Sequence, residues 1–307
     1  MGSIDTYFRL TNRQRPQSDV FQIMERERLI EKARKKYSIT NLAVILFAKA
    51  LDVFDAAKRK AVRVIVYEGR DKPSKRIGDI TGNLGYAVGF ERLIDFVSKH
   101  LPTNEIIGKA LRETVPMYPD IAIRELVANA LIHQDFNETG TSGIIEIYAD
   151  RIEISNPGIP TIAPDRLIEE FQSRNERLAN LMRRMRICEE TGRGIDSAIT
   201  AVEAFQLPAP DFRAGERRTL AVLFGHKELK EMDANDKIRA CYQHCVLKFV
   251  MNEKMTNQSL RERFKLPESK TDLISRIIHE TADAGLIRLA NPESPSKRYT
   301  RYVPYWA

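Results

Sequence analysis

A chain of 307 residues with 43% hydrophobic and 30% charged side chains is long enough for two domains, and its composition is neither that of a disordered chain nor that of a membrane-embedded one. Its longest apolar run, Leu42 to Leu51, is broken by Lys49 and falls short of the roughly 20 residues that a membrane-spanning helix needs. Forty-nine basic residues against 42 acidic ones give a formal charge of +7 and an isoelectric point near 9.2, which suits a polyanionic partner.

The basic surplus sits at the two ends, 15 against 11 from Lys227 onward and 9 against 5 in the first 40 residues. Residues 1–37 read as a basic arm with a helix over Val20 to Tyr37. Met1-Gly2-Ser3 lacks the basic-then-apolar pattern of a secretory signal, so the chain reads as cytoplasmic, with no membrane partner. Thr40 caps a helix from Asn41 to Phe54, Lys60 to Tyr67 alternates like a strand, Gly69 to Gly85 is turn-rich, and Tyr86 to Leu101 is helical and closed by Pro102. A helix capped by Asp120 then runs to about His133, followed by two strands, Ile144 to Ala149 and Arg151 to Ser155, that end at Asn156-Pro157-Gly158. Short helices over Asp165 to Phe171 and Glu176 to Met185 lead to a helix over Ile195 to Phe205, a proline-rich turn and a strand over Thr219 to Phe224. Gly225 to Ala234 reads as a linker.

Beyond it the pattern is helix Asp236 to Val250, a helix capped by Thr256 and running through Phe264, a turn, a helix from Thr271 to Ala284 stopped by Gly285, and strands Leu286 to Ala290 and Lys297 to Val303. This is helix-turn-helix spacing with a wing. Leu273, Ile274, Ile277 and Ile278 supply the buried side of the third helix, leaving Lys270 and Arg276 outward, while Lys297, Arg298 and Arg301 place charge on the wing. The alternative for such a module is a protein-interaction or dimerisation surface. Cysteines at 188, 241 and 245 exclude a disulfide framework and fit a reducing compartment. Cys241, His244 and Cys245 lie one helical turn apart, but zinc takes four ligands, and an apolar helix face is the better reading of them.

On the helix from Asp120, Glu125, Asn129 and His133 are spaced four apart and project from one face. A carboxylate and a carboxamide one turn apart can share work, the first polarising a water and the second offering an oxygen to Mg2+. A solvated face, with an acid favouring the positive helix end, fits the same residues. The order of Arg124-Glu125-Leu126-Val127-Ala128-Asn129-Ala130, then Asn156-Pro157-Gly158, then Glu190-Thr191-Gly192-Arg193-Gly194-Ile195 resembles the N, G1 and G2 boxes of the GHKL (Bergerat) ATP-binding superfamily. The runs Glu125 to Phe136, Asp150 to Gly158 and Ser173-Arg174-Asn175 are similar to the RecG-like, Schlafen AlbA-associated bacterial family.

The resemblance covers about Ser38 to Ala307 and implies a GHKL-type α/β sandwich, helices on a mixed sheet, over residues 38–226, followed by a winged helix over 227–307. It implies Glu125 as general base, Asn129 as Mg2+ ligand, Gly192, Arg193 and Gly194 as phosphate loop, and Asn156 with Gly158 at the adenine end. Asn156 stands where the superfamily has an aspartate, and its amide brings a donor beside the acceptor that adenine requires. No Gly-x4-Gly-Lys-Ser/Thr segment is present, so P-loop helicase chemistry is not expected. The resemblance further implies that an AlbA-like domain commonly precedes this region. The expected function is an ATP-binding, DNA-associated regulator in which Mg-ATP modulates the winged helix, with a homodimer an admissible assembly. The alternatives are a weak ATPase acting in DNA metabolism or phage defence, and a scaffold that retains only the nucleotide fold.

Overall fold

The computed structural model describes residues 3–16, 18–34, 36–107, 112–189, 193–293 and 300–307. In chain order its elements are α1 Ser3–Leu10, α2 Val20–Arg26, β1 Ile30–Ala33, β2 Lys36–Ile39, α3 Asn41–Phe47, β3 Arg63–Tyr67, β4 Arg76–Thr81, α4 Tyr86–His100, β5 Thr103–Ile107, β6 Arg112–Pro116, α5 Asp120–Ile132, β7 Ile144–Ile147, β8 Arg151–Pro157, α6 Glu176–Arg184, α7 Gly194–Ala204, β9 Asp211–Ala214, β10 Arg218–Phe224, α8 Ala234–Val250, α9 Asn257–Arg263, α10 Thr271–Asp283, β11 Ile287–Leu289 and β12 Tyr302–Pro304.

The centre is a six-stranded mixed sheet in the order β4-β3-β7-β8-β10-β9. Only β3 and β7 pair in parallel within it, so the chain crosses over between them through α4, the β5–β6 hairpin and α5. Alternation along the strands separates the faces: Val64, Val66, Ile145, Ile147, Ile152 and Ile154 join the main core with α4, α5 and α7. Ile65, Tyr67 and Tyr148 face the other way, the two tyrosine rings stacked at 4.7 Å. The fold is thus a mixed sheet flanked by helices.

Several local expectations change. The expected helix over Val20 to Tyr37 stops at Arg26, and residues 30–39 form the β1–β2 hairpin. The expected helix over Asn41 to Phe54 ends at Phe47, where Ala48 turns to an extended ψ of 139, and a 3-10 turn covers Leu51–Val53. Thr40 does cap α3, accepting the Ala43 N–H. The turn-rich segment after Gly69 contains an edge strand, β4, and the proline-rich turn contains β9. Short, exposed edge strands carry too little apolar alternation to read as strands. Asp120 is the first residue of α5, not its cap; Pro119 holds that position, and the carboxylate complements the positive helix end. The helix expected over Asp165 to Phe171 is a 3-10 turn at Pro164–Arg166.

Within the first 37 residues, expected as an arm, Tyr7, Phe8, Met24 and Leu29 are packed into the main core. Tyr7 is fully buried and Phe8 nearly so, their rings meeting edge to face at 5.2 Å, with Phe47 6.2 Å from Tyr7. Glu27 receives the Tyr7 hydroxyl at 2.9 Å and the Arg184 guanidinium at 2.7 and 2.8 Å.

Downstream of β10, α8, α9 and α10 pack around a second core of Ala240, Cys241, Cys245, Leu260, Ile274, Ile277 and Ile278. Thr256 closes a capping box with Ser259 at the start of α9. Gly285 takes a φ of 73 directly after α10, the left-handed conformation that ends a helix cheaply only without a Cβ. The β11–β12 hairpin follows, and Met255 bridges to Tyr302. His244, rather than joining the two cysteines, turns its Nδ1 to Glu203 at 3.0 Å and its Nε2 to Ser259 at 3.2 Å. Among the described residues no helix is long and apolar enough to cross a membrane.

Candidate nucleotide site

One cavity lies between α5, β8 and the start of α7, with Glu125, Asn129, His133, Asn156 and Gly194 in its lining. The helical spacing of α5 therefore does place its three polar residues on one wall. Glu125 is 8% exposed. Burial pushes its carboxyl up to about 7, against the Glu189 backbone N–H, which donates to its Oε1 at 3.1 Å and draws the value down. An acid of this kind titrates at neutral pH and can both take and release a proton there. Asn129 donates from its Nδ2 to the Glu125 carbonyl at 2.9 Å, which leaves Oδ1 as the acceptor of that cavity-lining side chain.

Asn156, on β8, is 5% exposed. Its Nδ2 donates to the His133 carbonyl at 3.3 Å and to the Pro157 carbonyl at 3.1 Å, so the competing donor anticipated from the sequence is held by backbone and the amide oxygen is the free end. Thr219 stands directly across from Asn156 in the β8–β10 register and also lines the cavity. Its Oγ1 donates to the Gly158 carbonyl at 2.8 Å. Gly158 itself is outside the lining. With a φ of 99, it turns the chain where a Cβ would come within 2.8 Å of the Asp135 side chain.

At the opposite end, Gly194 begins α7, and a Cβ there would overlap the Glu125 carboxylate. Arg193 precedes the helix with its N–H donating to the Glu189 carboxylate at 2.9 Å. The Arg193 N–H, at the cap of α7, thus already points at a carboxylate oxygen, the geometry in which a helix start receives an anion. Gly192 lies outside the described residues. Asp196, in the first turn of α7, is pushed up to about 6 by burial. His133 is driven down to about 4 by burial and by the nearby Arg174, so it is neutral at pH 7. Arg174 pairs with Asp135 at 3.1 Å and donates to the Ile159 carbonyl, while Asn175 donates to the Ile132 and Gln134 carbonyls at 2.6 and 2.8 Å. Arg174 and Asn175 therefore tie off the C-terminal end of α5.

The sequence reading did not single out Glu189, Asp196 or Thr219. The first two flank the Gly-rich turn, and their proximity in sequence was a usable signal; Thr219 enters only through strand register. Of the expected DNA-contact residues, Lys270, Arg276 and Arg301 are exposed, at the turn before α10, along α10 and at the approach to β12. Lys297 and Arg298 lie outside the described residues. Among the described residues no group of three or more His, Cys, Asp or Glu side chains is placed to hold a metal ion.

Residues 140–224 match a family described as putative ATP-dependent DNA helicase RecG C-terminal. That segment carries β7 to β10 with Asn156 and Gly194, and α5 lies ahead of it. The fold is similar to the crystal structure of the DIP2311 protein from Corynebacterium diphtheriae, with a TM-score of 0.59 at 14% identity, over 98% of this chain and 60% of that one. The chain thus spans about 60% of that protein's length, and at this identity the likeness is one of fold. No curated protein matches the sequence.

Proposed function

We propose that residues 38–226 form a GHKL-type domain that binds ATP with Mg2+, and that residues 227–307 form a winged helix that meets DNA. The observation that carries the nucleotide reading is the convergence of Glu125, Asn129, Asn156 and Gly194, from three elements, on one cavity. The free oxygen of Asn156 suits the exocyclic amino group of adenine, and the start of α7 suits the phosphates. Asn129 Oδ1 is a hard oxygen donor, and with few carboxylates to enclose it a Mg2+ ion would take one such ligand together with phosphate oxygens and water. Bound there, the ion would neutralise phosphate charge; Glu125, titrating near 7, holds or accepts a proton at its free Oε2.

Helix α7 links this cavity to the C-terminal module. It starts at Gly194, and its far end carries Glu203, bound to His244 of α8, and leads to Gln206, which donates to the Arg263 carbonyl of α9 at 2.7 Å. Over 11 residues it is a rod of roughly 16 Å, and nucleotide occupancy acts on the DNA-facing helices through it. Exposed Lys270, Arg276 and Arg301 support the DNA reading through phosphate contacts.

Calorimetric titration with Mg-ATP tests the nucleotide reading. The wild type should give a saturable heat that Asn129→Ala weakens at least tenfold, and no heat at all would favour a scaffold role. DNA retention that is indifferent to Mg-ATP and to Asn129→Ala would remove the coupling. The near-neutral Glu125 favours a second reading, slow hydrolysis; it requires phosphate release that Glu125→Ala abolishes while nucleotide binding survives. Absence of release with and without DNA would end it.

A further inference from the structure

A second cavity lies where α8, the α9–α10 turn and the segment after β10 meet, and it is walled by Lys237, Arg263, Lys265, Lys270 and Arg276, with Gln206 at its inner end. The charge there is one-sided. Among the described residues Glu228 is the only acid in the lining, and it is held by Lys230 at 2.7 Å. Lys227 is engaged by Asp236 at 3.0 Å. Lys237, Lys265, Lys270 and Arg276 form no ion pair among the described residues. Clustering four uncompensated cations around one concavity raises the local potential, which lowers stability in the absence of an anion.

The inner wall is less common still. The Arg263 side chain is 1% exposed, and Glu203 approaches its Nε only to 3.7 Å. Nη2 donates to the Leu207 carbonyl at 2.7 Å, whereas Nε and Nη1 have no hydrogen-bond partner among the described residues. A buried guanidinium with two unmet donors is expensive unless an acceptor reaches it. The outer rim carries Lys270, at the turn before α10, and Arg276, on the exposed side of α10.

We propose that this cavity is a phosphate-binding subsite for the backbone of duplex DNA, extending the contact made by α10 inward to the α7 junction, with Lys237 and Lys265 as the additional contacts. The inference rests on the DNA reading above but assigns contacts that reading does not include. A backbone phosphate supplies several acceptor oxygens at once and reads no base, so the site strengthens binding without adding sequence preference.

The test is fluorescence anisotropy of a labelled DNA duplex of mixed sequence, titrated with the full chain over a range of salt concentrations. The double variant Lys237→Gln/Lys265→Gln should bind about tenfold more weakly at low salt. Its slope of log affinity against log salt should be shallower by about 1.8, since each lost phosphate contact removes about 0.9. The charge-matched control Lys75→Gln/Lys99→Gln, on exposed positions of the sheet domain, should leave both quantities as in the wild type. A double variant with wild-type affinity and slope, while Arg276→Ala loses affinity, would overturn this subsite and leave the DNA reading standing. If the wild type itself shows no salt-dependent retention of the duplex, both fall.

Discussion

Replacing Glu125 with Gln isolates the consequence of burying a carboxyl in the cavity wall. The group stands at about 7 in the folded chain against 4.5 for an unburied one, so the folded state holds the proton more tightly than the unfolded state. The stability tied to this proton is fully present below about pH 4.5 and is lost as pH rises through 7. At about 1.4 kcal/mol per unit, the wild type carries a penalty of under about 1 kcal/mol at pH 5 and about 3 kcal/mol at pH 8. Gln keeps the shape and can still accept the Glu189 N–H, which now reaches Glu125 at 3.1 Å, but it does not titrate. Equilibrium urea unfolding at pH 5 and pH 8 should therefore show Glu125→Gln slightly more stable than wild type at pH 5 and about 3 kcal/mol more stable at pH 8. Titrating groups that do not interact with Glu125 are common to the two proteins and cancel in the difference. An advantage that is equal at the two pH values, or absent at both, would refute the assignment of a near-neutral buried carboxyl.

Gly194→Ala should cost about 1–3 kcal/mol by urea unfolding and weaken nucleotide binding, because its methyl group meets the Glu125 carboxylate; a stabilised variant, as helix propensity alone would give, contradicts the contact. Glu203→Gln removes the only carboxylate paired with the buried Arg263 among the described residues and should destabilise the chain by about 3 kcal/mol, read from the denaturation midpoint; an unchanged midpoint would show that Arg263 needs no counter-charge. Tyr7→Ala should cost about 3–4 kcal/mol, since the ring is fully buried, whereas a freely moving basic arm would show no loss on thermal unfolding.

The longer helices were readable directly. α4, α5 and α10 fall within one or two residues of their expected bounds, Gly285 stops α10, and Thr40 and Thr256 cap α3 and α9 as their chemistry predicts. The polar face of α5 was legible for the same reason, since a four-residue spacing fixes direction without any tertiary information. Elements that depend on distant partners were not. β1, β2, β4 and β9 are short and largely exposed, and their strand character comes from pairing with a neighbour rather than from their own pattern.

The candidate site divides the same way. Sequence alone determined which side chains could do chemistry, Glu125 and Asn129 by spacing and Gly194 by its place at a helix start. Tertiary structure decided the state of each one: enclosure moves Glu125 toward 7, two backbone carbonyls bind the amide hydrogens of Asn156 and free its oxygen, and strand register delivers Thr219. It also joined Arg263 to Glu203 in a buried junction. Residue type and local period are properties of neighbouring positions, whereas burial, polarisation and register are set by groups brought together from far along the chain.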